Sequence, residues 1–365
     1  MGLAQRGVIK SMDDIQRVAV IGTGVIGAAW VTLFAAKGYD VKAYSRKAET
    51  RERGLKCVQS NLDFFVEKKI ISESDKQTAL ARITMVKDIA EAVSDADFVE
   101  ECTGEDYDIK KNIFREIGKH VPAHAILASS TSGLSMTEIQ QVVVQKDKCI
   151  TTHPWNPPHL IPLIEIVPGK ETSKKTTDTT FRLMEKLGKV PVIVKKEVAG
   201  FIGNRLAAAL WREAIDLVDS GVATVEDVDK ALCAGPGIRW ALMGTHMSFH
   251  LGGGEHGGYD HFIDGIGNTT FKAIWEELET KAYITKPVKE KLTRGVEKEM
   301  KGKSFQDIIR WRDDKIIDIL SAKEEDFWGD PMSYPVYDSK NITEKEDQKD
   351  HKKSADVRAM KEKVA

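Results

Sequence analysis

A glycine-rich turn, Gly22-Thr-Gly24-Val-Ile-Gly27, limits what the first part of this chain can fold into. It follows the apolar run Arg17–Ile21, which is typical of a buried parallel strand. Apolar residues at helical spacing come next, and they end at Gly38, a common residue at a helix C-terminus. A second strand is predicted at Val41–Tyr44. The pattern therefore predicts a β–turn–α–β unit of about thirty residues.

Each glycine of this turn has a physical role in binding a dinucleotide. Gly22 permits the tight turn, Gly24 lets the backbone approach a pyrophosphate, and Gly27 lets helix and strand pack closely. The helix that starts here directs unpaired N–H groups and its positive end at phosphates. We expect Val25 and Ile26, in its first turn, to lie at the cofactor. A glycine-rich turn without a ligand is disfavoured, because the strand, the glycines, the helix and the second strand all match the dinucleotide-binding pattern.

The end of the second strand bears on the choice of nicotinamide cofactor. NAD enzymes usually have an acidic residue here that binds the ribose 2′-hydroxyl. This strand ends in Ser45-Arg46-Lys47, and Asp40 lies at its beginning. A small hydroxyl followed by two cations suits a 2′-phosphate, because guanidinium pairs well with phosphate oxygens. These residues favour NADP over NAD, the alternative being that Arg46 and Lys47 are ordinary solvated charges.

Strand and helix alternate from residue 17 to about residue 150, which predicts an α/β fold with a Rossmann-like doubly wound parallel sheet. Strand-like segments largely disappear after Gly200, where a long apolar-striped helix begins. We therefore expect an NAD(P)-binding domain over residues 1–196 and an all-helical C-terminal domain over 197–325. Residues 326–365 are predicted to be a partly disordered extension, since residues from about 343 onward are charged and poor in apolar residues.

Composition excludes several classes of partner and compartment. The 365 residues include 54 Lys+Arg and 56 Asp+Glu, whereas proteins that bind nucleic acid or membrane surfaces have a basic excess. We find neither a signal peptide nor an apolar run of the ~18 residues that a membrane span requires. The cysteines show no metal-binding or redox spacing, so free thiols in a cytoplasmic protein are expected. They are Cys57, Cys102, Cys149 and Cys233.

Three further segments carry polar residues suited to catalysis. Ser129–Gly133 follows a predicted strand, where ligands bind in open α/β sheets. His153 begins the segment HPWNPP and precedes Glu165 by twelve residues. A chain reversal at Asn156–Pro158 would place the carboxylate beside the imidazole, fix its tautomer and stabilise the imidazolium. The third segment, GFIGNR, contains Asn204. Taken singly, these are also explained as a polar turn, a structural histidine and a helix-terminal hydrogen bonder.

Together, the segments resemble the L-3-hydroxyacyl-CoA dehydrogenase family over most of residues 15–325. That family carries, in this order, a Gly-rich turn, S-N-T-S, H-x-x-N-P with a downstream Glu, and G-F-x-x-N-R. The resemblance implies that His153 is the general base for a substrate 3-hydroxyl and that Glu165 orients it. It also implies that Ser132 and Asn204 hydrogen-bond the reacting oxygen while hydride passes to the nicotinamide. Two hydrogen-bond donors and a histidine can stabilise the reacting oxygen as it gains or loses negative charge.

The resemblance adds expectations about the cofactor and the assembly. It implies that Glu105 and Lys110 lie near the cofactor and that the cofactor is NAD, against the preference indicated by Ser45 and Arg46. Ser45 stands where the family has an acidic residue, and Ser130 stands where it has asparagine. The resemblance also implies a homodimer with a helical interface.

Within the family, NPPHLIPLIEIVPGKET and GPGIRWALMG resemble the branch of L-gulonate 3-dehydrogenase (lambda-crystallin) and carnitine dehydrogenase. This branch implies a small free 3-hydroxy acid as substrate, with Arg239 pairing with its carboxylate. Arg239 is equally well explained as a structural ion pair. The alternative substrate is a CoA thioester such as 3-hydroxybutyryl-CoA. A non-enzymatic dinucleotide-binding or structural protein is disfavoured. A protein that has lost its enzymatic activity need not keep Ser132, His153, Glu165 and Asn204.

A segment rich in histidine and glycine, residues 246–261, remains outside this scheme. It carries His246, His250, His256 and His261 around Gly252–Gly254. Because the spacing matches no zinc template, we expect no metal there. We interpret it as a mobile loop near the active site or a dimer interface.

Overall fold

The computed structural model describes residues 14–278 and 284–321. Contacts divide the described chain into two units, with the break after Phe201 and close to the predicted boundary at residue 196. The first unit is an α/β structure and the second is helical, which confirms the predicted fold class. The predicted extension, residues 326–365, lies outside the described residues.

One sheet of eight strands forms the centre of the first unit. The strands are β1 (Arg17–Ile21), β2 (Asp40–Tyr44), β3 (Ile83–Val86), β4 (Phe98–Glu101), β5 (Ile126–Ser129), β6 (Cys149–Pro154), β7 (Leu163–Pro168) and β8 (Val190–Ile193). Their order across the sheet is β3-β2-β1-β4-β5-β6-β7-β8. Neighbours pair in parallel except for β6 and β7, which are antiparallel. The strand order reverses between β1 and β4, and ligands bind at the carboxyl ends of strands beside such a reversal.

Helices of the first unit flank this sheet. They are α1 (Val25–Ala36), α2 (Ala48–Glu67), α3 (Glu73–Ala81), α4 (Ile89–Val93), α5 (Tyr107–His120), α6 (Met136–Ile139) and α7 (Lys174–Lys186). Five of them begin at a serine or aspartate whose side chain accepts a hydrogen bond from a backbone N–H of the first turn. Such caps satisfy donors that the helix itself leaves unpaired.

Aromatic packing fixes α1 against the sheet. The rings of Trp30 and Phe34 on α1 stack with centroids 5.4 Å apart. Phe34 also lies 6.0 Å from Phe98 of β4, and all three side chains are fully buried. Burying each such side chain contributes about 1.5–3 kcal/mol. The N-terminus of α1 is therefore held at the carboxyl ends of β1 and β4.

The glycine turn makes the passage from β1 to α1 as tight as the backbone allows. Gly22 has φ +103° and donates its N–H to the Tyr44 carbonyl at 2.8 Å. A Cβ on Gly27 would lie 1.8 Å from the Gly22 carbonyl oxygen. The tight turn predicted at Gly22 and the close packing predicted at Gly27 are thus both seen as backbone contacts.

Helices make up the second unit. They are α8 (Gly203–Asp219), α9 (Val225–Ala234), α10 (Pro236–Gly252), α11 (Gly258–Phe262), α12 (Lys272–Glu277), α13 (Lys286–Met300) and α14 (Phe305–Ser321). A π-helical segment, Ile263–Phe271, connects α11 to α12. Gly244, with φ +72°, interrupts α10. Within the part of the chain that is described, we find no helix that is both long and apolar enough to cross a membrane.

The interpretation of residues 246–261 as a mobile loop is wrong for most of the segment, because α10 and α11 include residues 246–252 and 258–261. His246 Nδ1 lies 2.9 Å from the Tyr259 hydroxyl, and His250 Nδ1 accepts the Tyr259 N–H at 3.1 Å. The stacked rings of Phe249 and Phe262, 4.7 Å apart, add to these contacts. No group of three His, Cys, Asp or Glu among the described residues is arranged to hold a metal ion.

All four cysteines are free thiols. Burial raises the pKa of the Cys102 and Cys149 thiols well above its usual range, because a thiolate loses its hydration in the core. A raised pKa keeps both groups in the unreactive thiol form, in Cys149, which is buried, and in Cys102, which is partly buried.

Replacing Gly27 with alanine should destabilise the first unit by about 1–3 kcal/mol, because the obstructing atom is a backbone carbonyl that cannot rotate away. Gly24→Ala is the matched control: Gly24 has φ −69°, and nothing lies within 4 Å of an added Cβ. Urea unfolding followed by circular dichroism measures both variants. Equal stability of the two would contradict the close approach.

Candidate active site

The turn between β1 and α1 presents backbone N–H groups at the carboxyl edge of the sheet. The space beside Gly24 is open, and the side chain of Val25 is 66% exposed. The N–H groups of Val25 and Ile26, in the first turn of α1, have no acceptor within the helix. Open space, unpaired N–H groups and the positive end of a helix fit the pyrophosphate of a dinucleotide.

Ser45 lies under this turn. Its hydroxyl accepts a hydrogen bond from Thr23 N–H at 3.0 Å and lies 2.7 Å from Thr23 Oγ1. Thr23 Oγ1 also lies 3.2 Å from the Thr50 carbonyl, to which it can donate. Ser45 is thus buried and held in place by Thr23. Arg46 is exposed beside it, and Arg51 donates to the carbonyls of both residues at 2.7 and 3.0 Å.

The structure brings His153 and Glu165 together. They are directly opposite each other on the antiparallel strands β6 and β7, and Nδ1 of His153 lies 2.8 Å from Oε2 of Glu165. Their side chains are only 5% and 1% exposed. The carboxylate keeps the proton on Nδ1, which leaves Nε2 with a lone pair that can accept a proton.

Two residues that sequence reasoning missed, Phe201 and Glu197, support His153 from the end of the first unit. The ring of Phe201 lies 5.4 Å from the imidazole, and its backbone has φ +49°, which is uncommon for a residue with a side chain. The carboxylate of Glu197 accepts hydrogen bonds from Ser135 Oγ and Thr137 N–H, both at 3.0 Å. These bonds anchor the segment that carries Phe201.

Glu105 organises the loop that follows β5. Its Oε1 accepts hydrogen bonds from Thr131 Oγ1 at 2.7 Å, Ser132 N–H at 2.8 Å and Gly133 N–H at 3.1 Å. Ser132 itself is exposed. Glu105, predicted to lie near the cofactor, therefore fixes the backbone of the loop that carries Ser132.

Lys110, which is also predicted to lie near the cofactor, is buried in an ion pair. It is 1% exposed, and its ammonium binds both carboxylate oxygens of Glu101, at 2.9 and 3.1 Å, and the Thr103 carbonyl at 3.3 Å. Glu101 also accepts from Ser129 Oγ at 2.6 Å. All three donors of Lys110 are thus used inside the protein. It neutralises Glu101 at the end of β4 and has no donor left for a ligand.

The remaining predicted site residues belong to the second unit. Asn204 lies in the first turn of α8, and Arg239 lies in the first turn of α10 and is exposed. No signal in the sequence pointed to the roles of Glu197 and Phe201, except the glycine before Phe201, which has φ +74°.

In chemical terms, the first unit combines two functions at one edge of the sheet. The turn after β1 offers an anion site suited to a dinucleotide. The end of β6 offers a buried imidazole with one nitrogen fixed by a carboxylate, which is the arrangement of a general base.

Comparison with known proteins agrees with this chemistry. Residues 17–198 match the NAD binding domain of 3-hydroxyacyl-CoA dehydrogenase, and residues 200–304 match its C-terminal domain. L-carnitine dehydrogenase of Oceanobacillus iheyensis is 37% identical over 314 residues, which cover 86% of this chain and 100% of that protein. The enzyme of the same name from Nocardiopsis dassonvillei is 38% identical over 315 residues, covering 86% of this chain and 93% of that one.

Solved structures show the same likeness. 5-Formyl-3-hydroxy-2-methylpyridine 4-carboxylic acid 5-dehydrogenase superposes with a TM-score of 0.68 at 27% identity, covering 85% of this chain and 98% of that one. (S)-3-Hydroxybutyryl-CoA dehydrogenase from Ralstonia eutropha gives a TM-score of 0.60 at 27% identity, with 77% and 95% covered. The chain therefore belongs to the 3-hydroxyacyl-CoA dehydrogenase family and is an NAD-dependent oxidoreductase that acts on CH–OH groups.

Proposed function

We propose that this protein reversibly transfers hydride between carbon 3 of a small, free 3-hydroxy acid and a nicotinamide dinucleotide, with His153 as general base. The observation that carries the proposal is the buried contact of 2.8 Å between His153 and Glu165. The relatives named L-carnitine dehydrogenase support a free 3-hydroxy acid, and L-carnitine is the first candidate. A 3-hydroxyacyl-CoA thioester is the second candidate, supported by the likeness to (S)-3-hydroxybutyryl-CoA dehydrogenase.

Proton transfer is the part of the reaction that this chain performs. Nε2 of His153 takes the proton of the substrate hydroxyl as the bond from carbon 3 to hydrogen breaks. Glu165 keeps the proton on Nδ1 and stabilises the imidazolium that forms. Both side chains are nearly free of water contact, which strengthens their interaction. A bound nicotinamide supplies the hydride acceptor.

The family resemblance supports roles in substrate binding for three more residues. Ser132 and Asn204 donate hydrogen bonds to the reacting oxygen, which gains negative charge as its proton leaves. The exposed guanidinium of Arg239 pairs with the substrate carboxylate, because guanidinium and carboxylate form two parallel hydrogen bonds.

NAD is proposed to be preferred over NADP, with any use of NADP depending on Arg46. The Ser45 hydroxyl is buried and bonded to Thr23 N–H, so it offers no charge to a 2′-phosphate. The match to an NAD binding domain supports the same choice. Arg46 is exposed at this position and supplies the positive charge that a 2′-phosphate would need.

A cytoplasmic homodimer is proposed as the working form, with its interface on the second unit. That unit exposes large apolar side chains well beyond scattered single residues, and such surfaces mark sites of protein–protein contact. They include Leu206 (63% exposed), Trp211 (58%), Trp275 (63%) and Trp311 (60%).

Replacing His153 with asparagine should lower kcat by about 10²–10⁴ while leaving NADH binding intact, because only proton transfer is lost. Glu165→Gln should give a smaller loss, since the imidazole remains but its tautomer is no longer fixed. Steady-state kinetics and NADH fluorescence titration measure the two effects.

The matched control is His124→Asn. His124 forms a similar pair with Asp97, at 3.0 Å, just before β5 and therefore at the opposite edge of the sheet. Its replacement should leave kcat unchanged. Full turnover by the His153 variant would rule out the proposed mechanism.

The substrate class is decided by a panel of free 3-hydroxy acids, including L-carnitine, and 3-hydroxyacyl-CoA thioesters, each assayed with NAD and with NADP. We expect kcat/KM to be highest for a free acid with NAD. An Arg239→Met variant should raise KM for the free acid by about tenfold or more, since a charge-assisted hydrogen bond is lost. Faster turnover of a CoA thioester would select the second candidate.

Replacing Arg46 with alanine should raise KM for NADP by at least about tenfold and leave KM for NAD unchanged, because only NADP carries the 2′-phosphate. Arg53→Ala, which removes an exposed arginine on α2, is the control. An equal effect on both cofactors would show that Arg46 does not distinguish them.

A further inference from the structure

A second buried carboxyl group, Glu100, lies beside Glu101 on β4, and the proposed mechanism gives it no role. It is 0% exposed. Its Oε1 accepts a hydrogen bond from Ser130 Oγ at 2.6 Å, and its Oε2 lies 2.8 Å from Thr152 Oγ1. Ser130 Oγ in turn accepts the indole N–H of Trp30 at 3.0 Å. Glu100 therefore connects β4 with the ends of β5 and β6 and with α1.

No ion pair of Glu100 is found in the described part of the chain. The nearby cations are already used: Lys110 binds Glu101, and Lys189 lies 5.5 Å from the Trp30 ring centroid and donates to the Ile161 carbonyl. The other titratable groups around it are Glu101, on the same strand, the Cys102 thiol, directly after that strand, and His153, which follows Thr152 on β6.

Burial raises the pKa of Glu100 to about 8, because water cannot reach the carboxylate. Hydrogen bonds from Ser130 and Thr152 lower it in part, and the neighbouring charge of Glu101 raises it again. A neutral carboxyl group at pH 7 agrees with the full burial of Glu100 and with its lack of an ion pair among the described residues. In that form, Oε1 accepts from Ser130, and a proton on Oε2 can be donated to Thr152 Oγ1, which lies 2.8 Å from Oε2 and 3.0 Å from Oε1.

The two partners of Glu100 adjoin the proposed active site. Thr152 immediately precedes His153 on β6, and Ser130 lies two residues before Ser132 in the loop after β5. Thr152 and Ser130 are therefore within two residues, along the backbone, of the residues that are proposed to contact the substrate. An ionised Glu100 could only accept hydrogen bonds, and it would put an uncompensated charge between these two segments.

We propose that Glu100 is a positioning residue that acts as a neutral acid, holding the ends of β5 and β6 so that Ser132 and His153 keep their places, and that its ionisation lowers turnover. This rests on the proposed dehydrogenase activity. Glutamine has the same shape and the same donor and acceptor but cannot ionise, so Glu100→Gln isolates the protonation state from the hydrogen bonds.

The test is the pH dependence of kcat/KM between pH 6.5 and 10 for the wild type, Glu100→Gln and Glu100→Ala. We expect the wild type to lose activity above about pH 8, by up to about tenfold per pH unit. Glu100→Gln should stay within about threefold of the wild type near pH 7 and should lack this alkaline loss. Glu100→Ala should be impaired at every pH because it loses the hydrogen bonds as well.

The surface variant Glu116→Gln, which removes an exposed carboxylate on α5, should leave the profile unchanged. An identical alkaline loss in Glu100→Gln would overturn the role of Glu100 while leaving the dehydrogenase activity established. Absence of turnover by the wild type with any 3-hydroxy acid would instead overturn the proposed function, so the two failures are distinguishable.

Thermal unfolding gives a readout that does not depend on activity. Folding raises the pKa of Glu100 from 4.5 to about 8, so between these values the unfolded chain releases a proton that the folded chain keeps. Stability of the wild type must then fall as pH rises through this window, relative to Glu100→Gln. We expect the Tm of the variant minus that of the wild type to increase from pH 5 to pH 8. A constant difference would show that Glu100 is not a neutral acid.

Discussion

Antiparallel pairing of β6 with β7 sets His153 directly opposite Glu165, and the proposed proton transfer depends on that register. Residues directly opposite in such a pair have Cβ atoms about 4.5–5.5 Å apart, within reach of an imidazole–carboxylate bond. A slip of one residue would send the two side chains to different faces of the sheet. Register here is enforced by burial, since Ile164 and Ile166, which flank Glu165, are fully buried. The site is therefore a consequence of sheet packing.

Sequence reasoning succeeded where the determining contacts are local. The glycine turn, the strand before it and the helix after it lie within about thirty residues, and their spacing alone predicts the crossover. The pair His153–Glu165 was also within reach of the sequence, because a proline-rich reversal separates two strand-like runs. Both features follow from chain geometry over short distances.

Contacts between distant segments could not be predicted in the same way. Glu197 binds Ser135, sixty-two residues away, and nothing in either segment specifies the other. Glu100 and Glu101 lie in a strand that is fully buried, although two adjacent carboxylates indicate exposure when taken alone. The glycines of the segment 246–261 predict a loop, but most of this segment is helical. Aromatic contacts of Phe249 with the rings that follow, which the sequence did not reveal, favour helices instead.

The contact between Gly22 and Gly27 has a consequence for how this chain can vary in evolution. When a side chain blocks a mutation, a second substitution nearby can often make room. Here the blocking atom is the main-chain oxygen of Gly22, which every amino acid possesses, so no change of residue 22 can accommodate a Cβ at position 27. In a related sequence, a larger residue at position 27 would require a different backbone conformation for the whole connection between β1 and α1.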